Sequence, residues 1–209
     1  MKLYLCEVNK EYGSGRNGLP DGMFRAAASD YLGADCGEDA LRAAVGPHGK
    51  PYFSEPPLCG KTFFSISHSG AYRAALFHDA EVGLDVEDLG IRTGMTRERM
   101  EKLATRFFSQ DEAEYLAKKR GAENDGDSAE NDEDLAEFFR VWTAKEAYVK
   151  YTGDGISLGL SSFSVFEPPG GVAITTFSPR QGLICSCCSA GENKPEVVRW
   201  DYGQRGEAK

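Results

Sequence analysis

The hydrophobic pattern changes period repeatedly along this 209-residue chain. Residues 3–8, 63–66, 72–77 and 82–86 alternate or run apolar between turn residues, as strands do. From Thr96 the pattern turns helical. Met100, Leu103, Ala104 and Phe107 fall at i, i+3, i+4 and i+7 and predict a helix over Thr96 to Phe108. Ser109 is placed to cap a second helix, Gln110 to Lys119, and Leu135 to Tyr151 predicts a third, stopped by Thr152-Gly153. From Ile156 to Trp200 the sequence alternates and turns again, a strand-rich tail.

The remaining segments are shorter. Met23 to Leu32 reads as a helix with Asp21 as N-cap and Gly33 as stop, and Asp39 to Val45 as another short helix. Gly13 to Gly22 and Gly46 to Pro51 read as loops, rich in turn residues. Residues 121–134 contain Gly, Ala, Asn, Ser, Asp and Glu and no large apolar side chain. Such a composition buries too little surface to offset the entropy of ordering, which predicts a mobile acidic loop between two helices.

The chain is 41% hydrophobic, enough for a sizeable core in one domain or two small ones. Its formal charge is −9, which gives no whole-body attraction to nucleic acid or anionic lipid. A phosphate-bearing ligand must then be held by a few local cations or a metal ion. The start, Met1 to Glu7, is not patterned as a signal peptide, and no run is long enough to span a bilayer, so a cytoplasmic protein with reduced thiols is expected. Of the six cysteines, Cys185, Cys187 and Cys188 cluster without the second Cys/His pair of a structural zinc site, and read as small buried thiols on a strand.

Three constellations can carry chemistry. In Gly83-Leu84-Asp85-Val86-Glu87, strand alternation puts Asp85 and Glu87 on one face with Leu84 and Val86 packed behind. Two carboxylates on one rigid edge repel unless a cation lies between them, and oxygen-only ligands suit magnesium; a solvent-facing polar edge is the plainer alternative. In Trp142-Thr143-Ala144-Lys145-Glu146-Ala147-Tyr148-Val149-Lys150, helical spacing places Trp142, Glu146 and Lys150 on one face. Glu146 is then a third oxygen ligand and Lys150 a phosphate contact, or the two form an ordinary i,i+4 ion pair. Last, Ser67 and His68 bring a hydroxyl and an imidazole to a strand end, with Lys50 on a loop shaped by Gly49 and Pro51. These groups can hydrogen-bond phosphate oxygens, and a protonated His68 adds charge.

Taken in order, Gly49-Lys50-Pro51, Ile66-Ser67-His68-Ser69, Gly83-x-Asp85-x-Glu87, Arg106-Phe107-Phe108-Ser109-x-x-Glu112 and Trp142-Thr143-x-Lys145-Glu146-Ala147-x-x-Lys150 resemble the 4'-phosphopantetheinyl transferases, in particular the larger monomeric type that activates surfactin synthetase. The resemblance runs from about residue 49 to 150. It implies an α+β fold of two similar halves related by a pseudo-twofold, here divided as 1–94 and 95–209, with coenzyme A between them. It implies a magnesium ion on Asp85, Glu87 and Glu146, and coenzyme A contacts from Lys50, Pro51, Ser67, His68, Asp85 and Lys150. Basic residues near the start of such proteins grip the 3'-phosphate, and Arg25 is the best match.

The implied reaction is attack by a serine of an apo acyl or peptidyl carrier protein on the β-phosphate of coenzyme A, releasing adenosine 3',5'-bisphosphate. Glu146, Glu112 or a metal-bound water is the candidate base. Glu112 has a plainer reading as an exposed carboxylate in the first turn of its helix. For the acidic carrier that the resemblance implies, Arg97, Arg99, Lys102 and Arg106 offer a candidate docking face. Two other classes use the same features: another magnesium-dependent phosphoryl-transfer enzyme or phosphohydrolase, and a non-catalytic carrier-protein binder.

Overall fold

A computed structural model describes residues 1–8, 21–33, 41–55, 58, 60–121, 129–155, 159–191 and 194–200. The elements in chain order are β1 (Lys2–Glu7), α1 (Asp21–Leu32), β2 (Ala43–Val45), β3 (Pro51–Phe53), β4 (Phe63–Ser69), β5 (Tyr72–His78), β6 (Val82–Asp88), α2 (Arg97–Phe107), α3 (Gln110–Gly121), α4 (Ala129–Thr152), β7 (Val172–Arg180), β8 (Leu183–Ala190) and β9 (Glu196–Trp200).

The strands form a four-stranded sheet, β4-β5-β1-β9, a three-stranded sheet, β6-β8-β7, and the β2-β3 hairpin. Alternation along the strands builds the layers. Leu3, Leu5, Ala74 and Leu76 of the first sheet meet Val82, Leu84, Val86, Leu183, Cys185 and Cys187 of the second in a shared core. The opposite face of the first sheet, through Tyr4, Cys6, Ala75 and Phe77, packs on α1 with Met23, Ala27 and Ala28. The opposite face of the second sheet packs on the helices, where Ile184 meets Phe138 and Phe139, and Cys188 meets Ala147 and Tyr148. This is an α+β fold with helices on the outer face of each sheet.

The sheets do not divide the chain at 94/95. β6 belongs to the sheet of β7 and β8, and β9 crosses back to pair in parallel with β1, Lys2 opposite Glu196. The two sheets meet along β4 and β6 through side chains. The hydroxyls of Ser65, Ser67 and Ser69 accept the N–H groups of Leu84, Val86 and Asp88 at 3.0, 3.2 and 3.0 Å. Every second residue of β4 thus satisfies a buried amide that a backbone carbonyl would otherwise serve.

Several local expectations are revised. Ala43 to Val45 is a strand, not part of a helix; pairing with Pro51–Phe53 across the Gly46–Lys50 turn overrides the helix preference of Leu41-Arg42-Ala43-Ala44. Residues 39–40 lie outside the described residues, as do the expected loop 13–20, Cys36 and Cys59. Asp21 is the first residue of α1 rather than its cap. β4 and β6 extend past 66 and 86, so Ser67, His68 and Glu87 lie within strands.

The acidic stretch is also shorter than expected. Gly121 ends α3 and residues 129–134 form the first turns of α4, leaving 122–128 outside the described residues. A helix nucleated by the apolar face beyond Leu135 extends backwards through acidic residues that favour its N-terminal dipole. Asp134 there also pairs with Arg97 at 3.2 Å. Among the described residues no helix is long and apolar enough to cross a membrane.

Candidate functional site

The site lies where α4 crosses β6. Asp85 and Glu87 share with Gly83 the face of β6 that α4 covers. A methyl group at Gly83 would overlap the Ala147 carbonyl and the Tyr151 amide. The missing side chain lets the helix backbone rest on the strand, and this brings the residues around Ala147 to Asp85. The Lys150 ammonium donates to Asp85 Oδ1 at 2.7 Å and to Ser67 Oγ at 3.1 Å. Ser67 donates in turn to the same Oδ1 at 2.8 Å. With the Val86 N–H, the Ser67 hydroxyl has its donor and both acceptor positions in use.

Glu87 repeats the pattern one pleat along. Ser69 Oγ donates to Glu87 Oε1 at 2.8 Å, and Arg92 Nε donates to it at 2.6 Å. Both carboxylates are buried, Asp85 at 8% and Glu87 at 6% exposure, where a solvent-facing edge would leave them open. All the hydrogen bonds they make with described residues fall on Oδ1 and Oε1; Oδ2 of Asp85 and Oε2 of Glu87 receive none.

Glu146 is half-buried, and its carboxylate makes no hydrogen bond with the described residues. Burial, and then the charge of Asp85, push its pKa above the usual carboxylate range, with Lys150 opposing. The expected i,i+4 bond to Lys150 does not form, because Lys150 turns to Asp85. Trp142, a turn earlier on the same face, lies in the core. It stacks on Phe138 at 6.0 Å and stands edge-on to Phe107 at 5.8 Å.

A cleft of about 350 Å³ opens beside Lys150. Its walls are the β2-β3 turn, β4 and the end of α4, and Lys50, Pro51, Ile66, Val149 and Lys150 line it with His48. Volumes of about 300–1,000 Å³ are usual for small-molecule sites. Lys50 is held at its edge by the Glu81 carboxylate and by the Tyr151 carbonyl, the latter at 2.8 Å. His68, next to Ser67 on β4, is exposed. Burial of its ring, then Arg73 and Lys150, lower its pKa below the ordinary histidine value, which disfavours the charged imidazole in the absence of a phosphate. Arg25 is half-buried on α1, which packs against the first sheet.

Glu112 is not an exposed helix-start carboxylate. It is 0% exposed, as is Lys145, and the two form an ion pair at 2.7 Å. Glu112 also accepts the N–H groups of Ser109 at 2.8 Å and Val165 at 2.7 Å. Lys145 gives its remaining protons to the carbonyls of Leu160 and Phe163 at 2.8 and 2.7 Å. Burial lowers the Lys145 pKa while Glu112 opposes the shift. This closed network ties the start of α3, the middle of α4 and residues 160–165 together, and it keeps Glu112 out of the cleft. Sequence reasoning missed the pair. The Ser109-x-x-Glu112 spacing was a signal for one half of it, since a Glu at that position reaches back to the cap N–H.

The expected docking cations are partly engaged. Arg97 meets Asp134, Lys102 meets Glu98 at 2.6 Å, and Arg106 lies over Phe107. Cys6, Cys185, Cys187 and Cys188 are buried free thiols. Burial pushes Cys188 up to about 12 against the opposing charge of Lys50, so it stays protonated. Among the described residues no three His, Cys, Asp or Glu side chains converge as a preformed metal cluster. The positive charge at Asp85 and Glu87 comes from Lys150 and Arg92.

Residues 81–198, from β6 to β9, match the family model of the 4'-phosphopantetheinyl transferase superfamily. The chain is 28% identical over 193 residues to the 4'-phosphopantetheinyl transferase Sfp of Bacillus subtilis, covering 86% of this chain and 76% of Sfp. It is 38% identical over 117 residues to psf-1 of Bacillus pumilus, also a 4'-phosphopantetheinyl transferase, covering 56% of this chain but 42% of that relative. With the 4'-phosphopantetheinyl transferase AcpT of Salmonella typhimurium the identity is 38% over 147 residues, or 65% of this chain and 67% of AcpT. Because the matched region covers more than half of the chain and includes β6 and α4 with Asp85, Glu87, Glu146 and Lys150, the chain belongs to the 4'-phosphopantetheinyl transferase superfamily.

Proposed function

We propose that this protein transfers the 4'-phosphopantetheine moiety of coenzyme A to a serine of an apo acyl or peptidyl carrier protein, as a cytoplasmic monomer. The observation that carries the reading is the meeting of Asp85 and Ser67 on Lys150, which also lines a ligand-sized cleft, with Glu146 near enough to feel the charges of Asp85 and Lys150. The serine oxygen forms a bond to the β-phosphorus of coenzyme A, the bond from that phosphorus to the bridging oxygen breaks, and adenosine 3',5'-bisphosphate leaves. Lys50 and Lys150 line the cleft and are placed to hold phosphate oxygens. Pro51 and Ile66 supply apolar wall.

Lys150 has a further part. It neutralises Asp85 in the absence of ligand, and its side chain is 32% exposed, so it can turn to a phosphate. Glu146 is the favoured base for the serine proton, because it is half-buried, free of hydrogen bonds to described residues and of raised proton affinity. Glu112 has both oxygens engaged and no exposed surface.

The donor set fits a magnesium ion. Asp85 Oδ2, Glu87 Oε2 and the Glu146 carboxylate are hard oxygens without hydrogen bonds to the described residues, and Asp85 already raises the proton affinity of Glu146. Those residues would hold the ion. When bound, it would supply positive charge to the pyrophosphate oxygens.

Incubation with coenzyme A, magnesium and a panel of apo carrier proteins tests the reading. A phosphopantetheine mass gain on the carrier serine, abolished by EDTA, is expected. Release of phosphate from coenzyme A without any carrier, and no mass gain, would contradict it.

A further inference from the structure

The partner of Glu87 lies five residues further along the same chain. β6 ends at Asp88, and a single 3-10 turn over Leu89–Ile91 brings Arg92 back beside the strand. The turn is fastened on several sides. Asp88 Oδ1 accepts the Gly90 N–H at 2.9 Å, the Leu89 N–H reaches the Gly182 carbonyl at 2.8 Å, and the Arg92 N–H reaches the Leu89 carbonyl at 3.0 Å. From this anchored backbone the Arg92 guanidinium lies over the Phe139 ring of α4 at 5.5 Å, with its Nε on Glu87 Oε1. Arg92 and Ser69 hold the same oxygen, so the Glu87 carboxylate is fixed in orientation with Oε2 left over. The arginine is itself 39% exposed.

We propose that Arg92 is a built-in counter-ion that sets how tightly the carboxylates of Asp85, Glu87 and Glu146 take a divalent cation. The proposal rests on the reading that these carboxylates hold magnesium. Two effects of Arg92 oppose each other. Fixing Glu87 in place favours the ion, and a positive charge one carboxylate away disfavours it. The charge dominates, because Glu87 is nearly buried and the strand and Ser69 already orient it. Without the guanidinium, Glu87 is a buried carboxylate short of a counter-charge, and a divalent ion becomes the means of neutralising it. The ion-free protein weakens and the ion-bound one does not. Lysine keeps the charge but lacks the planar Nε–H and the stacking on Phe139, so it replaces Arg92 only in part.

The test uses the full chain without coenzyme A or carrier protein. Free Mn²⁺ is read by electron paramagnetic resonance, and Tm is measured in EDTA and with Mn²⁺. Arg92→Gln should bind Mn²⁺ about tenfold tighter than wild type, the order of effect that one neighbouring charge has on an ionic equilibrium. Its Tm should be lower in EDTA and should recover toward wild type as Mn²⁺ is added. Arg92→Lys should bind within about threefold of wild type, on the tighter side. Equal or weaker Mn²⁺ binding by Arg92→Gln, with wild-type binding intact, overturns the role of Arg92 alone. If Arg92→Gln does not fold, Arg92→Lys decides, and unchanged affinity with unchanged Tm overturns the proposal. Failure of wild type to bind Mn²⁺ overturns the metal reading and this inference with it.

Discussion

Asp85 and Glu146 differ in their partners, and this separates what their removal should do. Asp85 has Lys150 and Ser67 on one oxygen. Glu146 has no such partner among the described residues, and burial together with Asp85 raises its pKa. A raised carboxylate pKa means that the folded protein holds a proton the unfolded chain releases. That contribution to stability is fully present below the unfolded pKa and is lost as pH rises through the folded one. Glu146→Gln should therefore match wild type in Tm near pH 4 and exceed it at pH 7, both measured in EDTA. Its transfer rate should fall by about 100-fold or more if Glu146 binds the ion and takes the serine proton. Glu112 and Lys145 give the opposite result. Glu112→Ala strands a buried ammonium and should cost about 3–5 kcal/mol, seen as a lower denaturant midpoint. The double change Glu112→Leu with Lys145→Met should recover most of that loss, which a catalytic role for Glu112 would not predict.

Among the elements, α4 matters most, because it supplies Glu146 and Lys150 and its distance from β6 is set at Gly83. Gly83→Ala puts a methyl group into the helix backbone. It should cost about 3 kcal/mol, the upper range for overpacking, and should lower activity as Lys150 moves away from Asp85. Retention of both wild-type Tm and activity would show that the contact is loose. The start of α4 makes the contrasting case. Asp134 meets Arg97, so a deletion should spare residues 129–134. Replacing only 122–128 with a Gly/Ser linker of equal length should leave Tm within about 2 °C, because Ala-Glu-Asn-Asp-Gly-Asp-Ser has no large apolar side chain to bury.

At the scale of the whole molecule, what the sequence revealed and what it hid follow from distance along the chain. Asp85 and Glu87 were legible because a strand's period of two places them on one face, and Glu146 and Lys150 because a helix's period relates them. The carboxylate pair and the helix were read separately, and the family resemblance joined them. Contacts between distant segments stayed hidden. Glu112 pairs with Lys145 and with residue 165, and no local period relates these positions. Ala43 to Val45 had the composition of a helix, and only the partner strand made it extended. The serine comb on β4 joins two sheets, and no local period relates Ser65, Ser67 and Ser69 to the β6 amides they accept.

The central claim, that Asp85, Ser67, Lys150 and Glu146 form the transfer site, is tested most directly by one paired measurement. Wild type and Asp85→Asn are incubated with coenzyme A, magnesium and an apo carrier protein that wild type modifies, and the rate of mass gain on the carrier serine is followed. The account predicts rapid transfer by wild type and a rate lower by about 100-fold or more for Asp85→Asn, with the variant still folded. Comparable rates for the two proteins would contradict it.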